Sequence, residues 1–71
     1  MVQEIEQYQL AWSAQKGPAY RFRLKGLSTW SGWNHVPAAE LAAIALILNE
    51  KPAYYNSQSH VIFTSEEPTG S

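Results

Sequence analysis

"YQLAWSAQKGPAYRFRLKG", Tyr8 to Gly26, decides the fold. Its first part alternates, with Tyr8, Leu10, Trp12 and Ala14 on one side and Gln9, Ala11 and Ser13 on the other. Its last part alternates more clearly, setting Tyr20, Phe22 and Leu24 against Arg21, Arg23 and Lys25. A period of two is that of a half-buried strand. Gly17 and Pro18 between the runs are turn residues. The stretch therefore predicts a β-hairpin. The apolar residues of both strands are even-numbered and must share a face, so paired residue numbers sum to an even value. A sum of 32 pairs Trp12 with Tyr20, Leu10 with Phe22 and Tyr8 with Leu24, around a loop from Ala14 to Pro18. A sum of 34 is the tighter alternative.

Beyond the hairpin, Ser28 to Val36 reads as a connecting loop. Pro37 suits the first turn of a helix, where its missing N–H costs nothing, and Val36 before it should be extended. "PAAELAAIALILNE", Pro37 to Glu50, is rich in strong helix formers. Leu41, Ile44, Ala45 and Leu48 have the spacing of one buried helix face. Asn49, Lys51 and Pro52 supply the stop. "AYYN", Ala53 to Asn56, and "HVIFTS", His60 to Ser65, are β-prone and flank "SQS". They form a second hairpin or, more simply, one strand after a long loop. The tail from Glu66 to Ser71 has no apolar residue and is expected to be disordered. The expectation is a small α+β domain over residues 1–65, β-β-α-β or β-β-α-β-β. One helix packs on one face of a three- or four-stranded antiparallel sheet.

Composition narrows the function. A chain of 71 residues buries only about 60% of its unfolded surface and is marginal alone. Disulfides and thiolate metal sites are excluded by the lack of cysteine. That lack also fits a cytoplasmic setting. No charged start precedes an apolar run, so no signal peptide is expected. The run from Leu41 to Leu48 is far short of the roughly 20 residues of a membrane span. Self-association remains as a means of stabilisation.

The helix departs most from expectation. A surface helix normally sets charge opposite its buried stripe. Here Ala39, Ala43 and Glu50 lie opposite, Leu46 and Ile47 lie on the flanks, and Glu40 is the only charge between Val36 and Leu48. This face is the predicted protein interface, for a second copy in a homodimer or for another protein. Trp30 and Trp33, three apart around Gly32 in "STWSGWNHVP", are expected to divide their roles. One caps the core and one sits at the rim of that interface.

Charge is segregated. Net charge is −1, which argues against a general polyanion binder. Yet Lys16, Arg21, Arg23 and Lys25 lie within ten residues, and three of them share one strand face. At about 7 Å spacing they approach the phosphate repeat of one nucleic-acid strand. That makes single-stranded nucleic-acid binding the alternative function. It needs stacking aromatics from elsewhere, because Tyr20 and Phe22 point to the core face. Pairing with Glu4 and Glu6, or protection of a sheet surface from aggregation, accounts for the stripe without a ligand.

His35 and His60 stand alone, short of the three or four ligands a zinc site needs. No Gly-rich phosphate loop and no nucleophile or metalloprotease motif occurs, and there is no aspartate. No catalytic activity and no cofactor are expected. The reading is a small non-catalytic protein-interaction module. Inhibition of another protein is a third possibility that fits the size.

Overall fold

The computed structural model of the protein describes residues 1–65. The expected tail, 66–71, lies outside the described residues. The elements are β1 (Val2–Ser13), β2 (Gly17–Leu24), β3 (Asn34–His35), α1 (Ala38–Leu48), β4 (Ala53–Asn56) and β5 (Val61–Thr64). They build an α+β fold with one five-stranded antiparallel sheet in the order β3-β2-β1-β4-β5. Five strands replace the expected three or four. The added one, β3, lies inside the segment read as a loop. It pairs Asn34 with Tyr20 and His35 with Ala19. Two residues carry no periodicity, so only the β2 edge beside them makes them a strand.

The first hairpin keeps the even parity but not the expected register. Leu10 pairs with Tyr20, Tyr8 with Phe22 and Trp12 with Pro18, so paired numbers sum to 30. The turn is shorter than expected, Ala14 to Lys16. Gly17 closes it at φ 79°, a conformation that glycine adopts without steric cost. The Lys16 N–H donates to Ser13 Oγ at 2.9 Å within the turn. Pro18 fits because its backbone faces β3, where its carbonyl accepts from Val36 N–H at 3.2 Å.

β1 also begins earlier than the alternation indicates. The ladder skips Glu6 between Ile5 and Gln7. This bulge inverts the parity, so odd-numbered Ile5 shares the face of Tyr8 and Phe22. No single alternation runs through Val2–Ser13, which hid the first half of the strand. That half pairs with β4, Val2 with Asn56 through Ile5 with Ala53. The second hairpin forms as its β-prone runs suggested, with Tyr54 opposite Phe63 and Tyr55 opposite Ile62.

Helix α1 starts one residue later than expected, with Pro37 as its N-cap. The Pro37 carbonyl accepts from Leu41 N–H at 3.0 Å. The core consists of Ile5, Phe22, Leu48 and Ala53, flanked by Tyr20, Leu24, Ile44, Tyr55 and Ile62. The Phe22 ring lies 4.8 Å from Tyr55 and 6.3 Å from Tyr20, centroid to centroid. Of the predicted helix stripe, Leu48 is buried, and Leu41, Ile44 and Ala45 are half-buried. The apolar side of β1 is largely uncovered. Tyr8 is 37% exposed, Leu10 42% and Trp12 72%. Exposure rises toward the hairpin tip, where β4, which pairs only with Val2–Ile5, no longer accompanies β1.

Candidate functional site

The face of β2 opposite Phe22 carries Arg21 and Arg23. Arg21 stands across from Gln9, and its Nε donates to Gln9 Oε1 at 2.8 Å. Its guanidinium carbon lies 4.6 Å from the Trp30 ring centroid and 4.8 Å from that of Trp33. The edge of β2 holds the two indoles there. Ser31 N–H donates to the Phe22 carbonyl at 2.8 Å, and Phe22 N–H donates to Ser31 Oγ at 3.0 Å. Asn34 Nδ2 donates to the Gly32 carbonyl at 3.3 Å and bends the segment between the rings. Each cation–π contact is worth about 0.5–1 kcal/mol at such partly exposed positions.

The expected division of the tryptophans is therefore corrected. Neither belongs to the core: Trp30 is half-buried and Trp33 is exposed. The interior is closed by Tyr20, Leu24 and Tyr55 around Phe22, and the indoles pack on a cation instead. They lie with Arg21 on the first hairpin, which is where the alternative function required its aromatics.

The rest of the basic stripe is internally paired. Arg23 donates through Nε and Nη2 to Gln7 Oε1 at 3.0 and 2.8 Å, and through Nη1 to the Leu27 carbonyl at 2.7 Å. The same Nη1 lies 2.9 Å from Glu6 Oε1, and Lys25 Nζ lies 3.9 Å from Glu4 Oε1. Such half-exposed pairs add at most about 1 kcal/mol each, but they neutralise charge locally. Glu4 and Glu6 lie beside this face, in the pairing that accounts for the stripe without a ligand. Lys16, at the hairpin tip, is exposed. The sequence held a sign of this arrangement: once the register is known, Gln7 and Gln9 fall opposite Arg23 and Arg21.

On the helix, Ala39, Ala43 and Leu46 are exposed, Leu46 at 73%. Ile47 is half-buried. The one charged side chain of α1 is Glu40, in its first turn. His35 is exposed on β3. His60, at φ 56° in the second hairpin turn, has its Nδ1 3.0 Å from Tyr55 Oη. Burial, and secondarily the neighbouring Tyr55, push the Tyr20 phenol above its ordinary value. Among the described residues no group of three or more His, Cys, Asp or Glu is placed to hold a metal. No helix there is long and apolar enough to cross a membrane. Neither a family model, nor a curated protein, nor a solved structure matches this chain.

Proposed function

We propose that the protein is a non-catalytic interaction module that docks another protein surface on the outer face of α1. One observation carries this reading: in an 11-residue helix, only Leu48 is buried. Ala39 and Ala43 allow close approach of a facing element, and Leu46 supplies the large apolar group. The adjoining Ile47 extends the patch. An exposed leucine with alanine neighbours and a single helix charge is a surface that gains by being covered.

The test is co-purification from an extract with wild type and with Leu46→Glu, alongside Ala43→Glu. Proteins retained by wild type and lost by both variants, at unchanged melting temperature, are the expected result. Retention of the same proteins by all three forms would remove the helix from the interface.

Single-stranded nucleic-acid binding is a second reading. It is favoured by the two indoles at Arg21, since bases stack on such rings. The glutamate partners of Arg23 and Lys25 count against it. Tryptophan quenching during an oligonucleotide titration at low salt tests it. Binding should weaken steeply with salt and disappear in Arg21→Glu. A flat titration ends this reading.

A further inference from the structure

The upper half of β1 has one satisfied edge and one open edge. β4 pairs with Val2–Ile5 only. Among the described residues no strand lies beside Gln7–Ser13 on that side. The direction of the backbone groups follows from β2. Phe22 exchanges hydrogen bonds with Ser31, and the Pro18 carbonyl accepts from Val36, so Phe22, Tyr20 and Pro18 direct their backbone away from β1. Their partners Tyr8, Leu10 and Trp12 therefore direct theirs away from β2, to the open edge. The same three residues carry exposed apolar side chains.

Strand edges are normally blunted by charge, proline or coverage. "QYQLAW", Gln7 to Trp12, has neither charge nor proline. The Glu6 bulge lies below it.

We propose that this edge pairs antiparallel with the same edge of a second copy, joining two sheets about a two-fold axis near Leu10. The strand meets its own requirements as an occupant. Leu10 faces Leu10 of the second copy, and Tyr8 faces the second copy's Trp12. Each such pair exchanges two backbone hydrogen bonds. The side chains form an aliphatic centre between two aromatic pairs, a combination that stabilises sheets. On the other face Gln9 meets Ala11, so no like charges oppose.

The base of the edge also receives the second copy's turn. A groove of about 490 Å³ opens there, lined by Glu4, Glu6 and Glu50, by Lys25 and Lys51, and by Tyr8 and Leu48. In this register the turn carrying exposed Lys16 arrives at that groove of mixed charge, and the symmetry repeats the contact. The contact is isologous, so it closes at a dimer. This surface is separate from the outer face of α1, and the proposal stands independently of the helix reading.

The experiment is absolute mass by light scattering after gel filtration across a hundredfold concentration range, with hydrogen exchange on the same samples. A dimer is expected, with the Tyr8, Leu10 and Trp12 amides protected as concentration rises. Leu10→Lys sets two like charges against each other at the axis and should weaken dimerisation by at least about tenfold. Leu46→Glu should leave it unchanged. Because Leu10→Lys touches a partly covered residue, a synthetic chain N-methylated at Leu10 serves as the second variant. It removes only the outward-facing N–H and should also give monomer. A wild-type monomer throughout the range overturns the proposal. So does a dimer that survives both Leu10 changes, or one lost only with Leu46→Glu, which would place self-association on α1 instead.

Discussion

Replacing Phe22 by alanine is expected to leave the protein largely unfolded or close to it. The ring is the hub of the core, against Tyr20 and Tyr55 and in one cluster with Ile5, Leu48 and Ala53. Truncating a buried phenylalanine costs about 3–5 kcal/mol, through lost transfer energy and the cavity left behind. At ~0.05–0.15 kcal/mol per residue, a chain of this length has about 4–11 kcal/mol in total. The largest buried side chains are few, so little remains to compensate. Thermal unfolding followed by circular dichroism should show a melting temperature lowered by more than about 12 °C, or no cooperative transition at all, since 1 kcal/mol corresponds to ~4–8 °C in a domain this small. A shift below about 4 °C would mean that the stability lies elsewhere than in this cluster.

The second large effect is a contrast within one helix. Leu48 is 4% exposed and Leu46 is 73% exposed, two residues apart. Leu48→Ala should cost about 2–5 kcal/mol. Leu46→Ala should change stability by less than about 0.5 kcal/mol, because the side chain already meets solvent and alanine is the better helix former. Urea denaturation of both variants at low protein concentration measures the difference. Equal losses would mean that the helix is rotated from the orientation described, with Leu46 inside. The contrast also bears on function: a leucine that contributes nothing to folding is free to serve an interface.

The two surfaces and the core draw on one limited supply of apolar side chains. Ile5, Phe22, Leu48 and Ala53 close the interior. Tyr8, Leu10 and Trp12 on the strand and Leu46 on the helix remain outside. Trp30 and Trp33 are committed to Arg21. In a chain this small each large residue placed outside is one the interior does without, which is the physical ground for expecting the exposed ones to be covered by other chains.

Local stereochemistry made much of this legible without coordinates. The Tyr8–Lys25 alternation identified the first hairpin and the parity of its pairing. The formers between Pro37 and Glu50 identified the helix, and the β-prone runs around "SQS" identified the second hairpin as one of two options. Each is a property of a few neighbouring residues, set by backbone geometry and the period of the side chains. The possibility that Glu4 and Glu6 pair with the stripe was also visible in the chain.

What only the tertiary structure decided is which of these faces is covered and what the loops touch. The Glu6 bulge inverted the parity of β1 at one point, so periodicity lost the strand's first half. Asn34 and His35 became a strand because β2 offered an edge. Trp30 and Trp33 turned to Arg21 because Ser31 is bound to Phe22 across that edge. Tyr8, Leu10 and Trp12 have the pattern of a buried face, yet β4 pairs with only the first residues of their strand. Alternation states that residues share a side; whether anything lies over that side depends on the lengths and crossing of elements far apart in the chain.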